Sequence, residues 1–306
     1  MAVDVPCDDL ETAITFLTER LGFRLDMIMP ADAPRTALVS GHGIVLRLQA
    51  SAGTAHAGRA GMQYRDLIPH RCGGRLIASL IRIAEGGPVP DYVHYHHVRF
   101  QLIYCRRGWV RVVYEDQGPP FVMKAGDCVL QPPTIRHRVL EASAGLEVVE
   151  IGGPAEHETW REHRFGLPTS QFRPDRDFGG QRFVHHAAAT APWRSDPERG
   201  LEYRDLGMAD ATRGEVSARV MRKTPNLATH TPAGKPTPAR ELHFLFSLQG
   251  GFRIRDAASG SHDFAADGAF VVPEGSEFFL DLPPGGEALE VVVATCDSAY
   301  QFAPGM

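Results

Sequence analysis

The stretch His94-Tyr95-His96-His97 puts three imidazoles into four positions. Neutral imidazole is a good ligand for first-row metals. On a strand, successive side chains point to opposite faces, so His94 and His96 share one face while Tyr95 and His97 take the other. A lone His-x-His pair says little: with 14 histidines in 306 residues, roughly 0.6 such pairs arise by chance. The surroundings say more. Gln101 follows, Gly108 comes seven residues after it, and AGDCVLQPPTIRH places Gly126, Pro132 and His137 downstream. Two imidazoles from one strand face and a third from a neighbouring strand can converge on one metal. The bland reading, polar residues at the mouth of a barrel, loses weight once the second stretch is present.

These positions resemble the two cupin motifs, G-x5-H-x-H-x3-4-E-x6-G and G-x5-P-x-G-x2-H. His94, His96, Gly108, Gly126, Pro132 and His137 keep the family's internal spacings. Three positions depart: Gly87 stands one residue too far upstream, Gln101 replaces the Glu, and Thr134 replaces a Gly. The resemblance implies a metal held by His94, His96 and His137. Gln is neutral and a poor ligand, so the centre would keep its full +2 charge and attract an anionic chelating substrate. Three-His iron sites of this kind resemble those of cupin thiol dioxygenases and diketone-cleaving dioxygenases. The expectation is an Fe(II)-dependent dioxygenase that inserts O2 into a small anionic metabolite, a thiol ahead of a β-diketone or enolate. Zn, Mn, Ni and Cu also suit three imidazoles. One rival is a redox-neutral isomerase or lyase, with His97, Tyr92, Tyr104 or a Glu not placed by the sequence as proton shuttle. Another is a ligand-binding bicupin without catalysis, and Gln101 is also compatible with a decayed site.

Further candidates lie nearby. Gln101, Ile103 and Cys105 alternate along one strand, which would line the cavity with Cys105, although cysteine is also a common buried filler. Arg99, Arg106, Arg107, Arg136 and Arg138 crowd the same strands. One of them, Arg99 first, could clamp a substrate carboxylate; most read as solvated charges. Tyr104 is a candidate donor to substrate or dioxygen, against a plain packing role.

The elements that must position these residues belong to a duplication. YRDL recurs at 64–67 and 203–206, GRLIASLIR (74–82) aligns with GEVSARVMR (214–222), RRGWVRV (106–112) with LQGGFRI (248–254), and GLEVVEI (145–151) with ALEVVVA (288–294). Each copy is dense in short β-type runs split by Gly and Pro, so each reads as a jelly-roll barrel. The chain therefore looks like a bicupin, mainly β. In the second copy Pro236 and Pro238 fall opposite His94 and His96, His243 falls opposite Gln101, and no His lies near Phe278, so that copy reads as metal-free, with His230 and His243 as a remnant pair.

Residues 1–50 read as a short strand, a helix capped by Asp8 or Asp9 and stopped at Gly22, then three strands. This βαβββ order, with DDLETAITFLTERLGFRL and ALVSGHGIVLRL, resembles one module of the glyoxalase-like vicinal-oxygen-chelate family. The expected domains are thus an α+β module at 1–60, a metal-binding cupin at 61–154, a linker at 155–200 holding a strand near Gln181–His185, and a degenerate cupin at 201–306. An unpaired module suggests a homodimer in which modules of two chains meet. A net charge of −5 and pI near 6.3 argue against a nucleic-acid partner. No apolar run approaches a membrane span and no signal segment is visible. The five scattered cysteines suggest reduced thiols in the cytoplasm.

Overall fold

A computed structural model of the chain describes residues 2–50, 61–223, 240–256 and 260–295. They fall into two compact units, Met1–Ala188 and Ala189–Met306.

The first unit opens with β1 (Ala2–Cys7), helix α1 (Leu10–Thr15, continued by a π-helical turn over Phe16–Arg20), β2 (Arg24–Met29), β3 (Thr36–Gly41) and β4 (Ile44–Ala50). The Asp9 side chain accepts the Thr12 N–H at 2.6 Å and so caps α1. Gly22, at φ 69°, supplies the left-handed residue that turns the chain out of the helix. The apolar side of this βαβββ segment is a closed core of Leu10, Ile28, Ala37, Val39 and Leu48. Register places Asp4, Arg47, Ser40 and Gln49 on the opposite face, where Arg47 and Asp4 pair at 3.2 Å. Leu38 and Val45 share that face by the same register, so it mixes polar and apolar side chains.

Twelve more strands complete the unit. These are β5 (Gln63–Asp66), β6 (Ile77–Ile83), β7 (Gly87–Pro88), β8 (His94–His96), β9 (Phe100–Arg107), β10 (Trp109–Tyr114), β11 (Phe121–Lys124), β12 (Cys128–Gln131), β13 (His137–Ala142), β14 (Leu146–Gly153), β15 (Thr159–Arg161) and β16 (Val184–His186). One sheet runs β1-β4-β3-β2-β15-β8-β13-β10-β11, with β7 also on β13; the other runs β16-β12-β9-β14-β6-β5. Each sheet keeps two edges, so the unit is an open sandwich and not the closed barrel the sequence suggested. β14 is buried along its whole length, as its near-continuous apolar run requires. Residues 155–188, despite their Pro, Gly and Arg, contribute β15, β16 and the buried Phe178. The N-terminal sheet is continuous with the strands that carry His94, His96 and His137, because β15 pairs with β2 on one edge and with β8 on the other.

The second unit holds β17 (Arg194–Asp196), β18 (Leu201–Asp205), β19 (Val216–Lys223), β20 (Arg240–Gln249), β21 (Phe252–Asp256), β22 (Gly260–Phe264), β23 (Ala269–Val271), β24 (Phe278–Asp281) and β25 (Glu287–Ala294). Its sheets run β17-β18-β19-β25-β20-β23 and β22-β21-β24. The repeat seen in the sequence is a repeat of pairings. β5, β6, β14 and β9 neighbour one another as β18, β19, β25 and β20 do. The Leu67 N–H donates to the Ala78 carbonyl as the Leu206 N–H does to Ala218. No helix among the described residues is long and apolar enough to cross a membrane.

Candidate metal centre

β8 and β13 are antiparallel neighbours with His94 directly opposite His137. His96 lies two residues along β8, hence on the same face. The three side chains are buried, and one ligand nitrogen from each lies within 4.8 Å of the others. His97 points the other way, half exposed, with its Nδ1 2.8 Å from Glu158 Oε2.

The protonation pattern follows from the partners. His94 Nδ1 donates to the Tyr92 carbonyl at 2.8 Å, and His137 Nδ1 to the Ile135 carbonyl at 3.0 Å. A carbonyl only accepts, so Nδ1 carries the proton and Nε2 carries the lone pair. His96 Nδ1 lies 2.9 Å from the Thr159 hydroxyl on β15. The fully buried Asp91 carboxylate lies 3.6 Å from His94 Nδ1 and is held in place by the Tyr92 and Val139 N–H groups. Outer contacts of this kind set the direction of an imidazole toward a metal. Thr134, where the motif has Gly, adopts φ 63° and donates its N–H to the His96 carbonyl at 3.1 Å. A β-branched residue is strained there, so the turn holds that conformation against Thr134's own preference.

Tyr114 on β10, in the histidines' own sheet, and Gln131, Gln101 and Glu150 of the opposite sheet form a polar chain. Tyr114 OH donates to Gln131 Oε1 at 2.9 Å; full burial pushes this phenol's pKa well up, so it keeps its proton. Gln131 Nε2 then donates to Gln101 Oε1 at 2.8 Å and to His137 Nε2 at 3.2 Å. The second contact independently marks His137 Nε2 as an acceptor. Gln101 Nε2 donates to Glu150 on β14. Histidines and chain together face a cavity of about 100 Å³ whose other walls are apolar, among them Ile81, Ile103, Val110, Val112, Val139 and Val148.

Of the residues singled out in the sequence, His94, His96, His137 and Gln101 meet at this cavity; Arg99, Tyr104 and Cys105 are not among its walls. Tyr104 lies on the other face of β9, beside Cys128. Cys105 does face inward, but into the packed core, where burial pushes its thiol to about 12. Arg99 sits near the Phe100 ring, 5.4 Å from its centroid. Arg106 pairs with Glu147, and Arg136 with Glu162 at 3.2 Å. Glu150, Gln131, Tyr114 and Thr159 were missed. Glu150 did leave a signal: a charged residue inside the apolar run LEVVEI, where a buried strand has no cheap place for one.

In the second unit, His243 Nε2 lies 3.0 Å from Glu290 Oε1, Arg219 donates to the same carboxylate, and Phe278 packs edge-on against His243 at 5.2 Å. The His94, His96 and His137 group is the one three-ligand cluster among the described residues. Pro236, Pro238 and His230 lie outside them.

Residues 79–151 match the family model described as "Cupin domain". Among solved structures, the oxalate decarboxylase of Lactobacillus farciminis in complex with formate is similar at 12% identity and a TM-score of 0.54, over 77% of this chain and 81% of that one. A salicylate 1,2-dioxygenase from Pseudaminobacter salicylatoxidans is similar at 14% identity and 0.53, over 78% and 77%. Protein Ylba from E. coli is similar at 12% and 0.54, over 86% and 92%. Comparison with curated proteins finds no match. At these identities the likeness establishes the fold, a duplicated cupin-type sandwich.

Proposed function

We propose that the first unit is a metal-dependent dioxygenase in which His94, His96 and His137 hold Fe(II), with O2 and a small chelating anion as substrates. The observation that supports this reading most is a buried set of imidazoles, with Nε2 of His94 and His137 fixed as acceptor, and with Gln101 where the motif has a carboxylate. A bound divalent iron would supply Lewis acidity, open coordination positions and electrons for dioxygen. The chain's own part is orientation and exclusion. Tyr92, Ile135 and Thr159 aim the rings. The apolar walls keep water out, which strengthens every electrostatic contact inside. Gln101 and Gln131 hold each other in place, so neither brings a negative charge to the metal. A thiolate and a β-diketone or enolate are the two substrate branches. The four described cysteines are free thiols, which fits a reducing compartment.

A second reading is a redox-neutral reaction on Mn or Zn, a decarboxylation or isomerisation. Glu150 favours it, since a carboxylate at the cavity can hold a proton, and one similar structure is an oxalate decarboxylase. Element analysis with an oxygen electrode separates these readings. Iron with oxygen uptake supports the first, manganese or zinc with turnover and no uptake the second. Failure to take up any metal would leave a binding protein.

A further inference from the structure

We infer, resting on the metal-centre reading, that the N-terminal segment is part of the substrate site: its β2–β3 loop walls the cavity through Ala31 and so sets how long a body a metal-bound substrate can carry. Ala31 is one of the described residues around the cavity that holds His94, His96 and His137, although it comes from the segment ahead of the cupin match at 79–151. The sheet brings it there. β15 sets Thr159 opposite both His96 and Ile28, so the chain that leaves β2 at Met29 arrives beside the histidines. The loop that follows is closed on itself. The Arg35 N–H donates to the Met29 carbonyl and the Ala50 N–H to the Arg35 carbonyl, each at 2.9 Å. Pro30 and Pro34 fix φ at two of its positions.

Side chains tie this loop to the strands of the cavity. Arg71 donates from Nη2 to Asp32, and from Nε and Nη2 to the two oxygens of Asp66 at 3.0 Å each. Asp66 lies on β5 and accepts from the hydroxyl of Ser79, the residue opposite Glu150. Arg35 pairs with Glu156 in the stretch that leads into β15. Arg71 reaches both carboxylates from an uncommon turn: His70, Arg71 and Cys72 have φ of 48°, 49° and 50°. Residues with a Cβ occupy that region at a cost and persist there only where the surroundings hold them. The Asp32 side chain is 6% exposed, so the tie is poorly screened by solvent. Ala31 itself is half-buried and stands outside the apolar core of its own segment. Its small size therefore serves the cavity and not the packing of the loop. At about 100 Å³ the cavity is small, so carbon added to its wall is carbon that a ligand must give up.

The test uses Fe(II)-loaded full-length protein under argon and straight-chain hydroxamates from acetyl to octanoyl, which share one chelating group and differ only in the body. Calorimetry gives each affinity, with metal content measured alongside. Ala31→Leu should keep the metal and the affinity for acetohydroxamate, and should lower that for octanohydroxamate by roughly tenfold or more, the scale of a methylene or two in an apolar pocket. Asp32→Ala keeps the Arg71–Asp66 pair and frees the loop. It should raise the octanoyl-to-acetyl ratio by roughly fivefold, the scale of one partly exposed ion pair, with metal content unchanged. A general loss of stability moves both ligands together, so the ratio reads the wall. A ratio within about twofold of wild type in the folded variants, or an equal loss of both ligands, would overturn this inference and leave the metal reading standing. Wild-type protein that takes up no metal would overturn both.

Discussion

The two units put a polar residue at the same point of the same strand pair and use it differently. In the first, Gln101 lies opposite Gly152 and Ile103 opposite Glu150; in the second, His243 lies opposite Val292 and Leu245 opposite Glu290. By register, Gln101–Glu150 and His243–Glu290 are the same pair. The third strand makes the difference: Ser79 stands opposite Glu150, Arg219 opposite Glu290. Serine is small and leaves the cavity open. Arg219 cancels the carboxylate, and Phe278 covers the imidazole where His137 would begin the equivalent strand. One strand pair thus carries Glu150 beside a cavity in the first unit and, in the second, a Glu290 held by Arg219 and His243.

The largest expected effect tests the first unit. His94→Ala, His96→Ala and His137→Ala should each cost about 2.5–4 kcal/mol of metal affinity, taking a four-ligand zinc site of ~10–16 kcal/mol as divided among its ligands. His97→Ala should retain the metal. Metal content after dialysis reads both; loss in His97→Ala with retention in His96→Ala would reverse the faces of β8.

The second unit is tested by charge. Arg219→Met should destabilise it by about 3 kcal/mol, the low end for a broken buried pair because Arg219 is about a quarter exposed. Calorimetric unfolding reads it. Arg219 and His243 hold the buried Glu290 carboxyl well below the usual range. A depressed carboxylate adds stability that is complete above its unfolded value of about 4.3 and is lost as pH falls toward the folded value. Acid unfolding of this unit should therefore begin below about pH 4, and Glu290→Gln should flatten that limb.

Thr159→Val sharpens the same contrast at lower amplitude. It removes the hydroxyl beside His96 and should weaken metal binding about 10–100-fold, as losses of ring-orienting partners do. The smallest effect belongs to Tyr104→Phe. Its side chain lies on the far face of β9, so metal content and chelator affinity should stay within about twofold; a larger drop would place the phenol at the cavity after all.

How far these contrasts were legible depends on distance along the chain. The histidines sit in short stretches whose spacing maps onto one strand face, so alternation alone could group His94 with His96 and set His97 apart. The partner strand was harder. Glu150 enters from β14, about fifty residues after Gln101, and no local period connects them. The sequence repeat even set Glu147 against Glu290, whereas the strand pairing sets Glu150 there. Cys105 illustrates the other limit. Alternation gives the inward face, but only packing decides where a cavity stops, and Cys105 lies beyond its end among Val129 and Val148. Arg99 lies off the cavity wall, near the Phe100 ring, a placement that charge density in sequence cannot give because it carries no direction.

β15 has three residues and two occupied edges. Thr159 lies opposite Ile28 on one side and His96 on the other, and its hydroxyl reaches the His96 ring. The N-terminal fifty residues are therefore not a detachable passenger. Removing them would bare one edge of the strand that aligns His96, with its backbone groups open to foreign strands. Over generations the same seam ties two histories together: a drift of register in β2 is a drift in the aim of a metal ligand, so mutations in either are judged by the same chemistry.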